Sequence, residues 1–413
     1  MTSREVPVAA PRAVHGAPTA RRGDHAVLAT RRNSLNLIRL VLALAVLVFH
    51  AYPLGGFTGK PTLLGVGLGG WAVAGFFCLS GYLIQASRDS RPVETYLMLR
   101  IARIFPAYWV CLVVTAFVFA PAAYVMAKGT IDGFLTSGPT APLDYVLTNA
   151  FLRINSYAVG DTLTTVPYPV AWNGSLWTLY YEFICYLALA VLGVFAWWRG
   201  RIAVLVALAA VTALAVGYPH VAPYVGNDPH VANLVALAPY FFAGAAVYRW
   251  RDRVPLTWPV ALLSAGLVVG ASALDPQRGP VLTAAAFATA LLYLGTVLPS
   301  PRWVRGNDVS YGVYIYAFPV QQLLVVFGVH TAGLWPYVIA TTALTALAAV
   351  GSWYAIERPA LRTARRRLDR RSGRSPVEAV PAGESVAAVG GPAAVGAAVD
   401  ADRAQVGAVA TSA

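Results

Sequence analysis

Charge is the first thing this sequence lacks. Only 12% of its 413 residues are Asp, Glu, Lys or Arg, while 58% are hydrophobic, and mean hydropathy is +0.60. A soluble domain is nearer half apolar and a quarter charged, so a water-soluble globule is excluded. Lysine is nearly missing: only Lys60 and Lys128 stand beside 29 arginines. The three cysteines, Cys78, Cys111 and Cys185, fall in apolar stretches without disulfide or metal spacing and read as small core residues. There is no GxSxG, HExxH or P-loop, which removes the common serine-hydrolase, zinc-protease and nucleotide-hydrolase signatures. No internal repeat and no appended soluble domain can be found. No metal and no nucleic-acid partner is expected.

What is present is a series of apolar runs. Ten are long enough to suggest membrane spans: 35–54, 70–87, 100–120, 174–198, 201–217, 231–249, 256–273, 280–298, 310–329 and 335–356. The expected fold is an all-α polytopic transmembrane helix bundle in the plasma membrane. Lys and Arg concentrate in cytoplasmic loops. An inside N-terminus assigns 27 of the 31 basic residues to the inner side and leaves only Lys60, Lys128, Arg153 and Arg278 outside. Ten spans with both termini cytoplasmic follow. Residues 1–34 read as a disordered basic tail, 35–358 as the membrane domain, and 359–413 as a basic, then low-complexity, disordered tail. A cleaved secretory signal is the competing reading of the start, but no small-residue cleavage site follows the apolar run. In the long outer loop 121–173, Leu143–Leu152 reads as an interfacial helix, with a re-entrant helix or a fragment of an eleventh span as alternatives; a full extra span would invert every later loop and break the charge pattern. Trp197, Trp198, Trp250, Trp258, Trp303 and Trp335 sit at span ends as an aromatic belt. His15 and His25 read as tail residues.

Ionisable groups inside a span are costly and mark function. The first span holds two, Arg39 and His50, eleven residues apart on one helical face and about 16 Å apart along the axis. Arg100 and Arg103, one turn apart, join Arg39 at the inner mouth. Singly, each arginine is explained by positive-inside topology and snorkelling. Together they suit a phosphorylated cytosolic ligand, because guanidinium binds phosphate in two-pronged fashion and keeps its charge. Ser175, Thr178 and Glu182 form a polar stripe on the fourth span, and depth counting puts Glu182 level with His50, so that a Glu–His contact can form. A helix-packing hydrogen bond is the plainer reading of that carboxylate. Ser80, near mid-membrane between Gly75 and Gly81, taken alone reads as ordinary small-residue packing, which allows close helix approach.

These residues also form a pattern. Arg39 and His50 give Arg-x10-His; Phe76, Phe77, Ser80 and Gly81 give FFxxSGxLI; Arg100 and Arg103 give Arg-x-x-Arg. Trp177, Thr178, Leu179 and Glu182 form a WSLxxE-like element, Ser310, Tyr311, Tyr314 and Pro319 form SYxxYxxxxP, and Glu357 and Pro359 form ExP. In this order over residues 35–360 they resemble the membrane-bound acyltransferase 3 family, which O-acylates sugars of surface polysaccharides, lipid-linked glycans and some macrolides. The chain departs from that pattern at Ala317, where many members carry histidine, at Thr178, where serine is usual, and in lacking the esterase-like domain fused to some relatives.

The resemblance implies acyl-CoA, acetyl-CoA first, as co-substrate, with no tightly bound cofactor. It implies Arg39, Arg100 and Arg103 as the donor clamp, His50 and Glu182 as a catalytic couple, and Ser80, Ser175, Thr178 and Tyr311 as pore and support residues. The acceptor is a carbohydrate or glycolipid hydroxyl, reached directly or through a separate extracytoplasmic transferase partner. Direct attack with His50 as base and an acyl-histidine intermediate are both open. The rival class is a polysaccharide or lipid exporter without covalent chemistry, which intramembrane charges also suit.

Overall fold

The computed structural model describes residues 25–30, 33–138, 140–169 and 171–371. The expected N-terminal tail lies outside the described residues apart from 25–30, 33 and 34, and the low-complexity tail beyond 371 lies wholly outside them.

The expected all-α class holds. The principal helices are α1 (Leu35–Leu54), α2 (Leu68–Asp89), α3 (Val93–Val114), α4 (Trp177–Leu192), α5 (Arg201–Val221), α6 (Pro229–Arg249), α7 (Trp258–Leu274), α8 (Ala284–Val297), α9 (Ser310–Val326) and α10 (Leu334–Ser352). Among the described residues, the strands are two-residue pieces, Thr62–Leu63 and Val66–Gly67, paired antiparallel between α1 and α2. Leu64 and Gly65, both at positive φ, form the tight turn between them. By length and composition, six helical stretches can cross a membrane: α1, α2, α3 with its extension, α5, α6, and α10 with its extension. Helices α4, α7 and α8 are apolar but shorter. The outer-loop helix Pro142–Thr148 has seven residues, too few to span a bilayer, and shows exposed Leu143 and Leu147.

Small residues set the packing. A Cβ on Gly81 would collide with the Phe241 carbonyl oxygen, and one on Gly244 would collide with that of Cys78. Helices α2 and α6 therefore touch backbone to backbone, an approach that only glycine permits. Gly312 of α9 meets Ala349 of α10 in the same way. Around this centre α5 fully buries only Val204; Ala203, Ala207, Leu208 and Val211 pack partly buried against the core, while Ile202, Leu205, Val206 and Leu214 face outward, as a helix with one lipid-facing side requires.

Two helices continue through a wider, π-type turn. Helix α3 runs through Thr115–Phe119 into Ala120–Lys128, and α10 runs through Trp353–Glu357 into Arg358–Arg371. Such turns are frequent at functional positions. The second shows that 359–371, expected in the tail, are helical; their Arg- and Ala-rich sequence favours helix. His25, also assigned to the tail, is buried: its ring bonds the Tyr82 hydroxyl at 3.0 Å and the Val254 carbonyl at 2.8 Å.

The turns that the charge rule places on one side do meet. Arg249, closing α6, donates to the Arg199 carbonyl at 3.1 Å and to Asp89 at 2.8 Å, and Trp250 Nε1 donates to the Arg201 carbonyl at 3.1 Å. We call this the basic end.

Candidate functional site

At the basic end, α1, α3, α9 and α10 converge on four charges. Arg39 and Arg103 both donate to Asp308 Oδ2 at 2.7 Å, and Arg103 also donates to Glu357 Oε2 at 2.8 Å. Two guanidiniums thus face two carboxylates, nearly all removed from solvent. The π-type turn carries Glu357, and Ser352 donates to its other oxygen at 3.1 Å. Arg103 lies 5.5 Å over the Tyr311 ring and 5.6 Å over the Trp353 ring. Burial raises the Asp308 carboxyl, but Arg39, Arg103 and a Ser310 hydrogen bond outweigh this and hold it below the usual carboxylate range. Sequence reasoning missed Asp308 and left Glu357 as a motif letter. Acidic residues among the arginines of an inner mouth were the available signal.

Arg100 differs. It is buried, has no carboxylate partner among the described residues, and its Nε makes no hydrogen bond. Its electrostatic neighbours are the Tyr186 and Tyr96 hydroxyls, then Arg91 and Arg103.

Glu182 does not meet His50. Its Oε1 accepts from Ser80 and, at 2.6 Å, from Tyr186. With Arg39, Phe76, Thr178, Ser310 and Tyr311 it lines a cavity of about 30 Å3, room for a water or two. His50 stands eleven residues further along α1 from Arg39, about 16 Å away along the axis. Depth counting from the start of the span failed because the chain is already buried among the helices before α4 begins. Residues 171–176 descend into the bundle first: Trp172 is fully buried, Asn173 donates to the Ile315 carbonyl at 2.8 Å, and Ser175 donates to Asn173 at 3.0 Å and to the Tyr314 carbonyl at 3.3 Å. Thr178 shares a hydrogen bond with the Tyr314 hydroxyl. Ser175 and Thr178 therefore face α9 while Glu182 turns to Ser80 of α2, and Tyr311 of α9 donates to the Ile104 carbonyl at 2.8 Å.

His50 is nonetheless oriented. Its Nδ1 lies 2.9 Å from the Val46 carbonyl, which can only accept. In the neutral ring the lone pair then sits on Nε2, the form that suits a general base. A backbone carbonyl, and not the carboxylate of Glu182, thus selects the tautomer. The imidazole packs at 5.6 Å from Phe49 and at 5.2 Å from Phe318. Beneath Phe318, a Cβ on Gly174 would lie 2.8 Å from the ring. Gln321 and Gln322 tie α9 to this region by donating to the Leu47 carbonyl at 2.9 Å and the Ala171 carbonyl at 2.7 Å.

Residues 32–357 match the acyltransferase 3 family, whose description is an acyltransferase domain. This chain belongs to that family. An O-acetyl transferase of Shigella phage Sf6 is 29% identical over 353 residues, covering 79% of this chain and 96% of the relative. Nodulation protein 10 of Rhizobium leguminosarum bv. viciae is 28% identical over 365 residues, covering 80% of this chain and 94% of the relative. No solved structure matches. The acyltransferase 3 chain is thus an acyltransferase with an α-helical bundle suited to a membrane, and Arg39, His50, Ser80, Arg100, Arg103, Glu182 and Glu357 all fall inside the matched region.

Proposed function

We propose that this acyltransferase 3 protein is an O-acyltransferase of the plasma membrane. It moves an acyl group, acetyl first, from cytosolic acyl-CoA to a carbohydrate hydroxyl. The acceptor belongs to a surface polysaccharide, a lipid-linked glycan or a glycosylated secondary metabolite. The observation that carries this reading is His50: an imidazole whose Nδ1 is committed to a backbone carbonyl and whose Nε2 is left to accept a proton. The O-acetyl transferase name of the phage relative supports the choice of oxygen as nucleophile.

In this reading Nε2 of His50 takes the acceptor hydroxyl's proton while that oxygen attacks the thioester carbon. The tetrahedral adduct then expels the CoA thiolate, which recovers the proton from the imidazolium. Products are the sugar ester and free CoA. Arg100, without a carboxylate of its own, is the guanidinium open to the donor; Arg39 faces the cavity while held by Asp308. Glu182 anchors Ser80 and Tyr186 along the donor's path, and that path has to widen to admit a thioester arm.

The experiment is thioester loss from acetyl-CoA on purified protein in nanodiscs, with and without a glycan acceptor. Acceptor-dependent release of CoA is expected. An intact thioester together with acceptor movement across the membrane would favour an exporter instead.

A further inference from the structure

A second concavity opens at the basic end, away from the Arg39–Glu182 cavity. It measures about 560 Å3, within the range that holds small ligands. Three connections far apart in sequence build it: the α2–α3 turn with Arg88, Asp89 and Arg91, the end of α4 with Gly193, Trp198 and Arg199, and the end of α6 with Arg249. Four guanidiniums face one carboxylate.

Its walls hold spare donors. Arg88 spends its terminal nitrogens on the Arg91 carbonyl at 3.2 Å and the Ala190 carbonyl at 3.5 Å, and its buried Nε has no acceptor. Arg249 is held by Asp89 and the Arg199 carbonyl, and its Nε is also unmatched. Trp198, expected in the aromatic belt, is 1% exposed, and its Nε1 has no acceptor either. Buried donors without partners are costly, and four guanidiniums against one carboxylate leave the concavity strongly basic, so it calls for an anion. Gly193 shapes the seat, since a Cβ there would lie 2.6 Å from Arg88 Nε.

We propose that this groove binds the phosphates at the nucleotide end of the donor. The inference rests on the acyl-CoA reading and adds where that donor is held. From Gly193 to Glu182 is eleven residues of α4, about 16 Å. A pantetheine arm has about thirteen backbone bonds, equivalent to roughly four peptide residues or 15 Å. A donor whose phosphates lie in the groove therefore brings its thioester level with Glu182, about 16 Å short of His50, so this is the pose of the docked donor and not of the reacting one. Arg100 lies on the way, within electrostatic reach of both Arg91 and Tyr186. The four-charge cluster of Arg39 and Arg103 is left to hold helices together, because its own carboxylates already neutralise it.

The test is equilibrium binding of CoA, 3′-dephospho-CoA and pantetheine to the full chain in nanodiscs, in zwitterionic lipid and again with phosphatidylglycerol added. Arg199 is exposed and has no side-chain hydrogen bond to lose among the described residues, so Arg199→Gln should fold as the parent does. It should weaken CoA binding about tenfold, the loss of one charge-assisted contact, and leave pantetheine binding as it was. Arg199→Lys should recover part of the loss, and Gly193→Ala should weaken CoA binding similarly. Unchanged CoA affinity in Arg199→Gln and Gly193→Ala, with the parent binding CoA normally, would overturn the groove assignment alone. Variants that alter only stabilisation by phosphatidylglycerol would also overturn it, by assigning the groove to a lipid phosphate. A parent protein that binds no CoA at all would overturn the acyl-CoA reading and the groove assignment with it.

Discussion

Replacing Asp308 by alanine removes the one carboxylate that Arg39 and Arg103 share. Both arginines approach the same oxygen at 2.7 Å, and the Asp308 and Arg103 side chains are 11% and 9% exposed. The variant leaves two guanidiniums facing each other with only Glu357 in reach of Arg103. Breaking a buried pair from one side costs about 3–5 kcal/mol, most of it the penalty for charge left unpaired. At roughly 2 °C per kcal/mol for a large domain, the unfolding midpoint should fall by about 6–10 °C. Asp161→Ala supplies the control, because the Lys128–Asp161 pair is 47% and 36% exposed and such surface pairs contribute about 0–1 kcal/mol. The same carboxylate predicts a pH effect of definite sign. Its folded pKa is depressed, so its stabilisation is complete above its ordinary 3.8 and is lost as pH falls through the lower folded value. The stability gap between the parent and Asp308→Asn should therefore be constant above that pH and close below it. Thermal unfolding in nanodiscs across pH reads both effects. An Asp308→Ala midpoint within about 2 °C of the parent's would refute the account of the cluster as a buried electrostatic clamp.

Other outcomes follow from the same contacts. Gly81→Ala and Gly244→Ala each drive a methyl into a backbone carbonyl and should destabilise by about 3 kcal/mol or more, measured as loss of folded protein on size-exclusion chromatography. Gly174→Ala should displace Phe318 against His50, costing about 1–3 kcal/mol and lowering turnover more than donor binding. Glu182→Gln keeps the side chain's shape but weakens its hold on Ser80 and Tyr186; steady-state kinetics should show turnover reduced about tenfold or more, with little change in CoA affinity.

Much of the bundle was legible because its signals are local. Apolar runs predicted the principal helices to within a few residues at most ends, and the glycine spacing of α2 predicted a close helix contact. The site was legible only in part. That Arg39 and His50 lie on one helix needs nothing beyond counting. The depth of Glu182 could not be counted, because the extended entry through Trp172 and Asn173 moves the start of α4 inward. The Arg103–Asp308 and Arg103–Glu357 contacts join residues 205 and 254 positions apart, and nothing in local periodicity encodes them. The same is true of the groove, whose arginines come from three separate turns, and of Trp198, which local sequence alone makes look like its exposed neighbour Trp197.

The central claim is that the Nε2 of His50 performs the proton transfer of acyl transfer. Release of CoA from acetyl-CoA by the His50→Ala variant, in nanodiscs and with acceptor present, tests it most directly. The account predicts loss of acceptor-dependent release in a protein that still folds and binds CoA as the parent does. Release at the parental rate would contradict it.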